Sequence, residues 1–297
     1  MATYYLIHIL ALSMTQANGL LFMKKFQLVA GTSLRSSTVY MIINGIVSAI
    51  VPLAVLLVLG KPLQVTLYSL IMAAAIVLLS AVDTVLKLKA YEKGQMAIVN
   101  IFSIVGTLIL SCLWGVFVLH ESLSVLGMLA IAVMLVAVLL VSRTGKSKLD
   151  KRLLWIYLMI CIAASFVSIF SKQHQVETAY ATVDTLSFSV WLGVVRTVLF
   201  SFVALGLMIK NGKEGIRTPK AAAGYAVWSS LVSGTSYMLT LFTNAFLPIV
   251  ITLPLGVGFG IVMSAVLPWL FYKERLNKRQ LLGVVLALAG TLLFVLV

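Results

Sequence analysis

Apolar runs follow one another along the whole chain, and they leave few folds open to it. Ten can be marked out: Tyr4–Lys24, Val39–Leu59, Thr66–Leu88, Met96–Leu119, Leu123–Ser142, Leu153–Ser171, Thr185–Ile209, Ala221–Phe246, Pro248–Tyr272 and Leu276–Val297. Each is about the length of the ~20 residues with which a helix crosses a ~30 Å hydrocarbon core. In lipid every backbone N–H and C=O must be satisfied internally, which leaves helices and closed barrels. Barrel strands alternate apolar and polar residues, and a run such as IAVMLVAVLLV does not. The sequence therefore predicts an all-α integral membrane protein with ten transmembrane helices. Composition agrees: with 62% hydrophobic residues, 10% charged residues and a mean hydropathy of +1.12, polar groups are too few to cover a water-facing globule.

The first run is read as a permanent span rather than a signal peptide. It has no Lys or Arg before Lys24 and carries His8, Ser13, Gln16 and Asn18. Cys112 and Cys161 fall inside predicted helices without CxxC or Cys/His spacing and read as packing residues.

The formal charge of +14 raises the question of nucleic acid, and placement answers it. Nineteen of the 22 Lys and Arg lie in or beside the odd-numbered connections, five of them between Arg143 and Arg152. Only Lys61 and Lys172 belong to the opposite face, and Arg196 lies inside a run. This is the positive-inside asymmetry near anionic lipid, not a nucleic-acid groove, whose basic residues would be interleaved with aromatics. It predicts a multi-pass protein of the cell (inner) membrane, with basic odd-numbered connections in the cytoplasm and both termini outside it.

The hydrophilic stretch SRTGKSKLDKR, Ser142 to Arg152, divides the runs into five and five. Because five is odd, the second half enters the membrane upside down, and an inverted repeat follows. Residue matches support the division. Trp114–Val141 and the segment from Leu267 onward are versions of one segment offset by about 153 residues, with Glu121 facing Glu274, Leu123 facing Leu276, Ala130 facing Gly283 and Ala137 facing Gly290. The expected organisation is a first five-helix repeat over 1–142, a basic cytoplasmic linker over 143–152 and a second, inverted repeat over 153–297.

These residues resemble the drug/metabolite transporter superfamily, in particular its ten-helix EamA-like transporters. The match is carried by YKERLNKRQLLGVVLALAG, Tyr272 to Gly290, and by its degenerate first-half copy LHESLSVLGMLAIAVMLVA. The resemblance implies an alternating-access carrier of small metabolites, often an exporter, in which Glu121, Glu274, Gly283 and Gly290 are family-motif positions. It does not imply a particular solute.

Candidate site residues come from polar groups in costly places. Arg196 lies roughly 17 Å from one end of its helix and roughly 20 Å from the other, counting ~1.5 Å per residue. A guanidinium at mid-membrane costs about 2.5–3.5 kcal/mol on the insertion scale, so it should face a partner or a wet cavity. It either grips the carboxylate or phosphate of a solute or makes a structural pair. Asn44, at the matching place in the first repeat, hydrogen-bonds solute or staples helices. Asp83 and Lys87 are spaced i,i+4 in the favourable order; Asp83 is the candidate for a coupling proton, with a snorkelling pair as the alternative.

Gln16, Asn18 and Lys172 are expected rims of a site between the repeats. Glu121 and Glu274 each precede a predicted N-cap, Ser124 or Asn277, and a role at the start of the closing helix is favoured over solute contact. Pro254, Gly256 and Gly260 are candidates for a kink or gate, with tight helix packing as the alternative. His120 and His174, at helix ends, are expected to anchor at the interface, and His8 is a weaker proton candidate.

The function expected is secondary transport of a small polar metabolite, an amino acid or other carboxylate foremost, by efflux. An exchanger of nucleotide sugars or phosphorylated solutes is the alternative, though it would call for several converging mid-membrane cations where one is found. An intramembrane enzyme would need paired aspartates, HExxH or GxSxG within the spans, and none occurs. A non-transporting membrane subunit would need more than the short connections seen here. The sequence holds no P-loop for ATP and calls for no cofactor or metal. The expected partners are a solute, the bilayer and a coupling proton, with a monomer as the default assembly.

Overall fold

The computed structural model describes residues 2–31, 33–92, 96–142, 154–212, 219–272 and 278–295. Their regular structure is helical, joined by short connections, with no strand among the described residues. In chain order the helices are α1 (Ala2–Asn18), a π-helical turn (Gly19–Met23), α2 (Lys24–Ala30), α3 (Leu34–Val58), α4 (Leu67–Glu92), α5 (Met96–Phe117), α6 (Val125–Ser142), α7 (Leu154–Val176), α8 (Thr185–Asn211), α9 (Lys220–Asn244), α10 (Ile249–Tyr272) and α11 (Lys278–Val295).

Because the π turn joins α1 to α2 in one continuous rod, each predicted run corresponds to one rod. The first rod reaches Ala30 rather than Lys24, and α7 reaches Val176 rather than Ser171. Both extensions are polar or mixed stretches that hydropathy excludes and helical hydrogen bonding tolerates.

Among the described residues, five helices are long and apolar enough to cross a bilayer: the first rod, α3, α4, α7 and α8. Four shorter apolar helices, Ile104–Phe117, Val125–Leu140, Ile249–Met263 and Leu281–Leu293, lie within α5, α6, α10 and α11. The helix in neither group is α9, whose face carries Ser229, Ser230, Ser233, Ser236, Thr240 and Thr243. Apolar side chains elsewhere face outward in quantity, among them Val58 at 86% exposure and Ile209 at 79%. That surface requires lipid as its solvent.

The chain forms two compact units. One comprises Met1–Leu78 with Gln173–Ala245, the other Leu79–Lys172 with Phe246–Val297. In the first, α3 packs on α8 and α9, and α1 packs on α9. Its backbones touch where α3 and α8 both carry glycine: a Cβ on Gly193 would lie 2.6 Å from the Gly45 carbonyl oxygen, and one on Gly45 would lie 2.8 Å from that of Gly193. A small pocket of core joins Phe26 and Tyr40 to Ala222 and Ala226.

In the second unit α6 packs on α11, and α10 packs on α5 and α11. The small residues of the repeated segment make this possible. A Cβ on Gly290 would stand 2.9 Å from Met134 and 3.3 Å from the Ala130 carbonyl oxygen. Gly283 is buried on the same helix. Helix α10 runs unbroken across Pro254, which is buried, and past half-buried Gly256 and Gly260. Between those two glycines, Gly258 allows α10 to approach α11, since its Cβ would fall 2.1 Å from Thr291 Oγ1. Close helix packing therefore accounts for this glycine.

Candidate functional site

The Gly45–Gly193 crossing sets the geometry of the polar residues beside it. With the α3 and α8 backbones in contact, Asn44 and Arg196 meet: an Arg196 Nη1–H donates to Asn44 Oδ1. Asn44 Nδ2 in turn donates to Ser233 Oγ on α9 at 3.0 Å. One turn away along α3, the Tyr40 and Ser229 hydroxyls share a hydrogen bond of 3.0 Å.

Asn44 is buried and Arg196 half-buried. A guanidinium carries five N–H donors. Among the described residues no carboxylate lies within ion-pair distance of this one. Its charge is held by neutral groups alone, an arrangement suited to an incoming anion.

The seam continues along α9. Thr15 Oγ1 and Ser236 Oγ are 2.5 Å apart, Ser236 Oγ donates to the Ala11 carbonyl at 2.7 Å, and His8 Nδ1 lies 2.9 Å from Thr243 Oγ1. These serines and threonines were missed as site residues in the sequence, although their alternating spacing of four and three is a helix-face signal. Asn18, at the junction of α1 with the π turn, is buried, and its Oδ1 accepts no hydrogen bond. Gln16 is half-buried on the same helix. Of the aromatics, Trp228 stacks on Phe22 with centroids 6.4 Å apart, and Trp191 Nε1 donates to the Gln64 carbonyl at 2.8 Å.

The second unit holds a separate charged cluster. The Glu121 carboxylate accepts from the backbone N–H of Ile249 at 2.9 Å and of Val250 at 3.0 Å, the first two residues of α10. Lys172 Nζ stands 3.6 Å from Glu121 Oε1 and donates to the Leu247 carbonyl at 2.7 Å. Glycine at 115 leaves room for this, since a Cβ there would lie 2.9 Å from Glu121 Oε2. Glu121 thus caps a different helix from the one it was expected to start. Helix α6 has its own cap, Ser124 Oγ, which accepts from Gly127 N at 3.0 Å. A carboxylate at a helix N-terminus is favoured by the orphan N–H groups and by the dipole.

Lys172, expected at a solute rim, is buried against this carboxylate. Glu274 and Asn277 lie outside the described residues. Asp83 and Lys87 make the expected pair at 2.7 Å, with Asp83 Oδ1 buried and accepting no hydrogen bond. His174 is not an interfacial anchor: it is buried, stacked on Phe188 with centroids 3.5 Å apart, and Nε2 lies 2.8 Å from Ser69 Oγ. Among the described residues no group of His, Cys, Asp and Glu is arranged to hold a metal.

Comparison with known proteins gives three findings. A family model described as "Magnesium transporter NIPA" matches residues 227–297. The "Multidrug resistance protein EbrA" of Bacillus atrophaeus is 30% identical over 102 residues, which is 32% of this chain and 96% of that protein. A solved crystal structure matches with a TM-score of 0.78 over 99% of this chain and 98% of its own; at 14% identity the likeness is one of fold. A helical membrane protein with a polar seam inside its first unit, similar to two kinds of membrane transporter, is itself placed by these matches: the chain belongs to the drug/metabolite transporter superfamily of membrane transporters.

Proposed function

We propose that this protein is an EamA-like secondary transporter that exports a small carboxylate-bearing metabolite, amino acids foremost, by alternating access. In this reading the ten rods are ten spans, the halves 1–142 and 153–297 are inverted repeats, and the protein sits in the inner membrane as a monomer. Its basic connections are cytoplasmic and its termini are not. Arg196 is the anchor for the solute carboxylate, held ready by Asn44.

The observation that carries the proposal is the mid-helix guanidinium with a neutral hydrogen-bond partner and, among the described residues, no carboxylate within ion-pair distance. A fixed positive charge at this depth favours an anionic group and repels a cation, which speaks against magnesium as the solute of this chain. A solute carboxylate would gain a two-pronged, charge-assisted contact there.

The test is thermal unfolding of the purified chain in detergent against amino acids, their decarboxylated amines and magnesium chloride. A ligand at a hundred times its dissociation constant adds about 2.7 kcal/mol to the state that binds it. The carboxylated member of a matched pair should raise the midpoint of the wild type. It should do nothing for a folded Arg196→Ala variant and less for Arg196→Lys, which keeps the charge and loses the fork. Stabilisation by magnesium or by the amines, or an equal response of wild type and Arg196→Ala to carboxylates, refutes it.

A further inference from the structure

The second unit contains an apolar groove of about 550 Å³ between α5, α6 and α7. Ile109 on α5, Leu135 and Leu139 on α6, and Leu158, Cys161 and Ile162 on α7 line it, and among the described residues of its wall the thiol of Cys161 is the only side-chain heteroatom. It lies beside the point where α5 and α7 meet: a Cβ on Gly106 would come within 2.1 Å of Cys161 Sγ. Its rim faces outward, with Ile109, Leu139, Leu158 and Ile162 exposed by 38–41%. A polar metabolite would find no hydrogen-bond partner here, and water would be poorly held against such a wall.

We propose that this groove seats an acyl chain of an anionic phospholipid from the leaflet on the side of the basic connections. Depth supports this occupant. Leu139 lies about three residues from the end of α6 and Leu158 about four from the start of α7, so the groove opens roughly 5 Å inside the helix ends. Ile109 lies roughly 20 Å from the start of α5, and Cys161 roughly 10 Å from the start of α7. The groove therefore spans about one leaflet of a ~30 Å core and stops near its middle, as a single acyl chain does.

Charge supports the headgroup. The helix ends nearest the groove adjoin the third and fifth connections, which are basic in sequence, with five cations between Arg143 and Arg152. Basic residues at a membrane surface attract anionic lipid headgroups. The inference needs the membrane placement and orientation of the chain, not the identity of its solute.

The experiment uses the full chain purified in mild detergent. Retained lipid is read by native mass spectrometry, and the unfolding midpoint is titrated with phosphatidylglycerol and with phosphatidylcholine of the same acyl chains. The wild type should retain phosphatidylglycerol through delipidation and gain more in midpoint from it than from phosphatidylcholine. Leu135→Trp and Ile162→Phe, which fill the groove, should each lose the retained lipid and the extra gain. Should either variant fail to fold, Leu139→Ala, which removes wall without adding bulk, should retain less phosphatidylglycerol than the wild type at equal lipid. Retention unchanged in the folded variants, equal gains from the two lipids, or a retained apolar compound other than a phospholipid overturns the proposal.

Discussion

Removing the Glu121 carboxylate is the perturbation whose size the structure fixes best. One side chain satisfies two backbone N–H groups at the start of α10, at 2.9 and 3.0 Å, and faces the Lys172 ammonium at 3.6 Å. The side chains of Lys172 and Glu121 are only 5% and 12% exposed, so screening by water is weak. Glu121→Ala strands two amides and takes the carboxylate away from a buried ammonium that keeps its bond to the Leu247 carbonyl. Breaking a buried pair from one side costs about 3–5 kcal/mol, which at ~2–4 °C per kcal/mol lowers the midpoint by roughly 6–20 °C.

The assay is thermal unfolding in detergent at one scan rate, together with hydrogen exchange at the Ile249 and Val250 amides. Exchange at those two positions should speed up more than at the middle of α10. Adding Lys172→Met removes the buried charge that Glu121 faces, so the double variant should be less destabilised than the sum of the singles by about 1–3 kcal/mol. A Glu121→Ala loss below about 1 kcal/mol, or strict additivity with Lys172→Met, would show that the cluster does not hold α10 as argued.

Gly193→Ala should destabilise the first unit by about 1–3 kcal/mol or more. Its Cβ would meet backbone atoms of Gly45 and Ala49 at 2.6 and 2.7 Å, and these cannot rotate away. Gly224→Ala is the contrasting case, with nothing within 4 Å of the new Cβ, and should raise the unfolding midpoint by up to about 1 kcal/mol equivalent through helix propensity. Asn44→Leu removes the acceptor of Arg196 and a donor to Ser233, and should abolish solute-induced stabilisation in the same ligand titration.

Glu177, in the connection before α8, has its carboxyl held below the ordinary glutamate range, first by the Gln173 side-chain amide and then by the Ala179 N–H. A depressed folded value means that its contribution is present above the unfolded value and is lost as pH falls through the folded one. Unfolding midpoints followed into acid should therefore fall less steeply for Glu177→Gln than for the wild type.

Much of the architecture was legible in the run lengths. Each apolar run coincides with a rod, and among the described residues five of the rods are apolar over the length a bilayer sets, while the serine-bearing α9 is not. The repeat pointed to small residues at Ala130 and Gly290, and the structure places these two at the α6–α11 contact. The ends were less legible, since α1 and α7 continue through polar residues that a hydropathy window discards. Arg196 stands out in the sequence by its mid-membrane cost, and Asn44 only as its counterpart in the repeat, with nothing in the sequence to show that the two meet. The serines of α9 were passed over because each is small and common, and only a packed neighbour gives such a residue a role.

The sequence by itself determined the solvent of this chain, its secondary structure and which of its residues could not face lipid. Those properties follow from composition and spacing along one helix, where each residue's environment depends on its near neighbours. The tertiary structure decided who meets whom: Arg196 with Asn44, Asn44 with Ser233, and Glu121 with the start of α10 rather than of α6. These partners are more than a hundred residues apart, and their meeting depends on the rotation of each helix about its axis. That rotation is set by the glycine crossings at 45 and 193 and by close packing on every side, and no local pattern in the chain encodes it.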